Sequence, residues 1–238
     1  MQIDKFELFS TVIPLLHPYR IAYETISEAK IIFIRIGTKE GIDGFGCAAP
    51  EEPITGETLG DAEAFLEGPA RELLLRSDPL RRVRIMRRLS DLSPETPSAR
   101  AAVDIALVDI LGRKAGLPVW QLFGGYRRGI ETSFTLGIAP LDDTLALADE
   151  MVRQGFRVLK LKGGLSVEED AHKLNMLRER IGPELVLRFD ANQGYSVDGA
   201  SAPCRARRNR DSGTTNPPGK ASPSGTPAAG VSGADYGR

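Results

Sequence analysis

Two lysines one residue apart, Lys160 and Lys162 in RVLKLKGG, and one aspartate, Asp190 in LVLRFDAN, are the residues of this chain best suited to chemistry. Side chains alternate across a strand, so Val158, Lys160 and Lys162 share one face and Leu159 and Leu161 the other. On the same reading Val186, Arg188 and Asp190 share a face of the next strand, with Leu187 and Phe189 turned toward helices. If both polar faces line a barrel mouth, Lys160, Lys162 and Asp190 rise to its C-terminal rim, where barrel enzymes hold their reacting groups. Two ammonium groups one pleat apart disfavour each other's charge, and partial desolvation adds to this. Both effects bring a lysine toward the range of a useful general base. A carboxylate one strand over is a hard oxygen ligand suited to Mg2+. Plainer roles exist for each. Lys-x-Lys guards solvated sheet edges, and an aspartate at a strand end forms turns or caps helices.

Convergence of these side chains requires a parallel sheet, and the chain supplies its rhythm. From Glu131 the strand SFTLGI precedes the helix LDDTLALADEMVRQG, and RVLKLKG precedes SVEEDAHKLNMLRERIG. LVLRFDANQG then starts a third unit, so the segment reads as βαβ units, either doubly wound or a barrel. No G-x-G-x-x-G follows the first βα strand, which ranks the doubly wound reading last. Before Glu131 the language differs. IDKFELFS and AKIIFIRIGT read as strands of an antiparallel meander that turns at KEGIDGFG. GETLGDAEAFLEGPARELLL and DPLRRVRIMRRLSDL read as helices. SARAAVDIALVDILGRKAG reads as a helix with Ser98 at its N-cap, Gly116 at its end and an alanine face built for close packing. Asp104 and Asp109 on it suit structure as well as function.

Lysine plus arginine (31) balances aspartate plus glutamate (32) at a net charge of −1. That excludes the basic footprint of a nucleic-acid binder or a membrane-seeking surface. MQIDKFELFS lacks a signal-peptide core, no apolar run is of bilayer length, and Cys47 and Cys204 match neither a disulfide framework nor a zinc site. The expectation is a soluble, cytoplasmic globular protein with no nucleic acid and no membrane among its partners, free to form a homo-oligomer.

The stretches PYRIAYETISEAKIIFIRIGT, DGFGCAAPEEPITGET, SARAAVDIALVDILGRKAGLPVWQLFGG, TSFTLGI, GFRVLKLKGG and LRFDANQGYS together resemble the enolase superfamily. Within it they are most similar to the muconate-lactonizing-enzyme branch and its dipeptide epimerases of the L-Ala-D/L-Glu type. The resemblance implies an α+β N-terminal capping domain (1–125) followed by the beginning of a TIM-like (β/α) barrel (126–198), with Lys-x-Lys on the second strand and Asp-x-Asn on the third. It implies an isomerase in which Lys162 is the base removing a proton α to a carboxylate, and Lys160 its electrostatic partner. Asp190 would be the first of three carboxylate ligands to Mg2+, with Asn192 beside it. Thr135 and Arg20 would contact the substrate, a small carboxylate such as a dipeptide, and Tyr19–Thr25 and Pro53–Thr55 would be lid elements. Muconate cycloisomerase and o-succinylbenzoate synthase share the lysines and are the alternative reactions; TSFTLGI and PYRIAY favour the epimerase.

Two family carboxylates and a second lysine have no counterpart in this sequence. A TIM barrel takes about 250 residues, and about 70 in-pattern residues follow Gly129. Residues 199–238 are rich in Arg, Gly, Pro, Ser and Thr and read as a disordered tail. Read one base later, the codons for Asp211–Asn216 permit Ile-Leu-Glu-Gln-Pro-Thr, like the family's fourth strand, so a base slip near codon 199 would account for the tail. The expectation is a barrel truncated after about three strands and inactive as it stands, with a non-catalytic binding or oligomerising fragment as the rival reading.

Overall fold

The computed structural model describes residues 1–22, 24–192 and 194–196. The expected tail, 199–238, lies outside the described residues. Isoleucine at every second position of β2 decides how the N-terminal sheet sits. β1 (Ile3–Arg20), β2 (Thr25–Thr38) and β3 (Asp43–Ala48) form an antiparallel sheet in that order. Ile32, Ile34 and Ile36 are fully buried, while Phe33 and Arg35 face outward. β1 outruns the strand expected from IDKFELFS by continuing through Pro14 and Pro18 to Arg20. An edge strand tolerates proline because its outward N–H groups have no ladder partner to lose, and besides a shift between Ile3 and Lys5 the register slips between Pro14 and Tyr19.

Between sheet and helices the backbones meet directly. The segment expected to be a lid loop at Pro53–Thr55 is instead one helical turn, α1 (Glu52–Thr55), closed by Gly56 in the left-handed region at φ 76°. α2 (Leu59–Phe65) starts with a reciprocal Thr58–Asp61 capping box. It widens into a π turn at Leu66–Ala70 around Pro69, which cannot donate the α-helical bond, and resumes as α3 (Arg71–Leu74). α4 (Arg82–Leu92) is tied to α5 (Pro97–Ala115) by a bidentate pair, Arg82 to Asp104, with both distances 2.6 Å. Ala99, Ala102 and Ala106 of α5 are completely buried. Asp109 accepts the Phe45 N–H at 3.0 Å and pairs with Arg113, so both aspartates of this helix are structural.

α5 begins one residue before Ser98, at Pro97, and its N-cap Thr96 makes no side-chain cap. The role falls to Glu57, 1% exposed, whose Oε1 accepts the Ser98 N–H at 2.6 Å. A charged acceptor at a helix N-terminus satisfies an orphan donor and meets the helix dipole. Glu57→Ala therefore removes about 2 kcal/mol of stability, read as a lower urea midpoint, and Glu57→Gln recovers part of it.

After α6 (Val119–Leu122) the architecture changes to β4 (Ser133–Leu136), α7 (Leu141–Arg153), β5 (Val158–Lys162), α8 (Val167–Ile181) and β6 (Val186–Asp190). The three strands are parallel in the order β4-β5-β6. Leu136, Leu159, Leu161 and Leu187 bury against Ala148 and Met151 of α7 and Leu177 of α8. The fold is thus an N-terminal α+β unit followed by a parallel sheet that begins a (β/α) barrel. No helix of the described residues is long and apolar enough to cross a membrane.

Candidate active site

Burial of Leu159 and Leu161 on the helix side turns Lys160 and Lys162 to the opposite face of β5. The parallel register then sets Lys160 beside Arg188 and Lys162 beside Asp190. Both ammonium groups converge on one oxygen: Lys160 Nζ is 2.7 Å and Lys162 Nζ 3.1 Å from Asp190 Oδ2. Asp190 Oδ1 accepts the Asn192 N–H at 3.0 Å. Asn192 adopts φ 47°, which asparagine tolerates better than most residues. Its buried Oδ1 has no hydrogen-bond partner among the described residues. Lys162, with 13% of its side chain exposed, is the more enclosed of the two lysines; Lys160 is at 33%. The lysines are therefore not merely two like charges one pleat apart, since an anion sits between them.

Burial pushes the Asp190 carboxyl up, but hydrogen bonds from Lys160, the Asn192 amide and Lys162 outweigh it and hold the group at about 2. A carboxyl lowered on folding contributes stability that is complete above its ordinary value and is lost as pH falls through the folded value. Between about pH 4 and 2 the wild-type urea midpoint should therefore fall more steeply than that of Asp190→Asn.

The hairpin between β1 and β2 closes on this edge of the sheet. Arg20 O accepts the Ile138 N–H at 2.8 Å, just beyond β4. A Cβ on Gly137 would stand 2.8 Å from Tyr19 Cβ, and one on Gly164 would stand 2.1 Å from Ala191 O and 3.3 Å from Ala22 Cβ. The turn residue Ile21 is buried. Thr135 shares the register row of Lys160. Thr135 and Arg20 line one groove of about 400 Å3 with Tyr19, Gly137 and Asp143, and neither lysine lines it. Lys160, Lys162, Asp190 and Asn192 are thus brought together, and the two candidate substrate contacts form a neighbouring group.

Three acidic side chains were missed from sequence. Asp170 is buried on α8 within the undifferentiated run EED. Glu24 and Glu51 come from the hairpin turn and the residue before α1. Burial, a hydrogen bond to Glu24 and the charge of Glu24 raise the Glu51 carboxyl above its ordinary value. Only the acidic residues just before α1, in PEEPITGE, hinted at this.

Residues 6–124 match the N-terminal domain of the mandelate racemase / muconate lactonizing enzyme family. The chain belongs to that family. Residues 143–210 match the enolase C-terminal domain-like family. The L-Lys-D/L-Arg epimerase of Desulforapulum autotrophicum is 38% identical over 83% of this chain and 56% of its own length. The L-Ala-D/L-Glu epimerase of Bacillus subtilis is 32% identical over 82% of this chain and 54% of its own. The crystal structure of the dipeptide epimerase from Methylococcus capsulatus, complexed with Mg and the dipeptide L-Arg-D-Lys, superposes with a TM-score of 0.84 at 37% identity. It is matched over 88% of this chain and 59% of that one. The chain spans about half the length of the curated relatives it matches.

A Mg2+ ion demands near-octahedral oxygen ligation. Asp190 offers a carboxylate that stays ionised, yet its Oδ2 already carries two ammonium groups, and the described residues contain no group of three side chains able to hold a metal ion. They do not by themselves fit a metal centre of this mandelate racemase / muconate lactonizing enzyme type.

Proposed function

We propose that the chain is an isomerase of the dipeptide-epimerase kind, in which the Lys162 amine takes the proton α to a carboxylate, leaving an enolate, and a proton returned by solvent to the opposite face inverts the carbon. The observation that carries this reading is the parallel register that seats Lys160 and Lys162 on one carboxylate at the strand ends. A substrate carboxylate has the same charge and acceptor geometry as Asp190 and would take its place at Lys160. Lys160 then lies beside the charge that develops on the enolate, while Lys162, more enclosed, takes the proton. Thr135 and Arg20 orient the remainder of the dipeptide, and the hairpin turn and α1 cover it as lid elements. Mg2+ is the cofactor named with solved relatives, and Asp190 would be one of its ligands. The described residues provide no second carboxylate there, so the proton chemistry rests on the chain's own lysines and Asp190. The proposed domain limits remain 1–125, 126–198 and 199–238.

The paired carboxylates of Glu24 and Glu51 support a cationic side chain on the substrate. Two acids in contact repel unless one is protonated or a cation lies between them; burial first, then the hydrogen bond and the charge of Glu24, raise the Glu51 carboxyl. Ala22, two residues from Glu24, lies against Gly164 just beyond β5, so the turn that carries Glu24 reaches the strand that carries the lysines. The test is incubation of the full chain with Mg2+ and L-Lys-L-Arg or L-Ala-L-Glu, with the epimers separated by chiral chromatography. Turnover of L-Lys-L-Arg in preference is the expected result, against the inactivity expected of a barrel truncated after about three strands. Glu24→Lys should lower kcat/KM for it about tenfold, the equivalent of about 1.4 kcal/mol. Equal rates with both dipeptides would contradict the cationic assignment. One other reading, a non-catalytic binding unit, is consistent with the described residues holding no three-ligand cluster; it would bind dipeptide without forming an epimer.

A further inference from the structure

We propose that Asp170 is a positioning residue for the Lys162–Asp190 pair, its carboxylate tying together the loops that leave β5 and β6. Asp170 lies in the first turns of α8 and is 4% exposed. Its Oδ2 accepts the Gly164 N–H at 2.8 Å and the Tyr195 hydroxyl. It is not needed as a helix cap, because Ser166 accepts the Glu169 N–H and its carbonyl takes that of Asp170. One arm of the clamp leads to the base: Gly164 adjoins Gly163, which follows Lys162 directly and donates its N–H to Asp190 O at 3.0 Å. The other arm leads to the anion. Tyr195, three residues beyond Asn192, stacks on Phe189 of β6, with ring centroids 6.2 Å apart.

Glycine is required where these parts meet. A Cβ on Gly163 would stand 2.5 Å from Asp170 Oδ2 and 2.6 Å from Phe189, and one on Gly194 would stand 2.2 Å from Gly164 O. The two loops are thus in backbone contact, and one buried carboxylate accepts from both. Burial and the hydrogen bond to Asp170 push the Tyr195 hydroxyl well above its ordinary value, so it stays a donor. A buried charge accepting two such bonds is costly to disturb. The proposal rests on Lys162 and Asp190 being the reacting pair for its meaning, but its test reads geometry and not turnover.

Tyr195→Phe keeps the ring on Phe189 and removes only the hydroxyl. The full chain, as wild type, Tyr195→Phe and Asp170→Asn, is labelled with trace acetic anhydride. Acetylation of Lys162 is measured by mass spectrometry against Lys114, an exposed lysine at the end of α5. Both variants should raise the Lys162:Lys114 ratio about fivefold, the effect of losing one ordinary hydrogen bond. Both should also move the Asn192 amide resonance, which reports the bond to Asp190. A structural role confined to the start of α8 would leave Tyr195→Phe like wild type. An unchanged ratio and an unmoved Asn192 amide in Tyr195→Phe would overturn the proposal. Absence of epimerisation would count against the function proposed above and not against this clamp.

Discussion

Lys162→Ala is expected to lower kcat for exchange of the substrate α-proton by about 10²–10⁴-fold, the range supplied by a positioned general base. KM should change little, because Lys160 and the Thr135 and Arg20 group hold the substrate in this account. The fold should survive, since Lys162 lies on the polar face of β5 and the packing against α7 and α8 comes from Leu159 and Leu161. Lys160→Ala should show the opposite split, with a raised KM and a smaller loss in kcat, because it removes the cation that receives the carboxylate. Kinetics of both variants, with circular dichroism to confirm folding, check the assignment. Equal losses in kcat from the two variants would undo the division of roles.

Gly46→Ala is expected to remove about 3 kcal/mol of stability or more, at the upper end of what overpacking costs. A Cβ there would stand 1.9 Å from Ala102 O, and one on Gly44 would stand 2.2 Å from Ala106 O. Both obstacles are backbone of α5, so no side chain can swing aside. β3 and α5 would have to separate, and the Phe45 to Asp109 bond would go with them. A melting temperature lower by roughly 6–12 °C follows for a chain of this size. Gly60→Ala is the control, since a Cβ there would meet only Thr58 Oγ1, at 3.9 Å.

The legible parts of this protein were those in which a local pattern has one packing solution. Alternation in RVLKLKGG and LVLRFDAN assigned faces before any contact was known, and parallel pairing then had to bring Lys162 to Asp190. The alanine face of α5 announced a close partner but not that Gly44 and Gly46 would be it. What escaped the sequence depends on long-range contacts. Glu57 caps a helix from forty-one positions away, and nothing in SVEEDAHK separates buried Asp170 from its exposed neighbours. The Ser98 cap was misread because a proline at the first helical position moved the boundary while a distant carboxylate supplied the acceptor. β1 runs past its prolines because an edge strand demands less of its N–H groups than local propensity suggests. The expected metal set stayed at Asp190 among the described residues.

The central claim is that Lys162 exchanges the proton α to a dipeptide carboxylate. The most direct measurement is deuterium incorporation at the C-terminal α-carbon of L-Lys-L-Arg, with the full chain in D2O and Mg2+, read as a one-dalton mass increase. The account predicts incorporation that Lys162→Ala suppresses by at least about 10²-fold. Incorporation that persists in Lys162→Ala, or none with the wild-type chain, would contradict it.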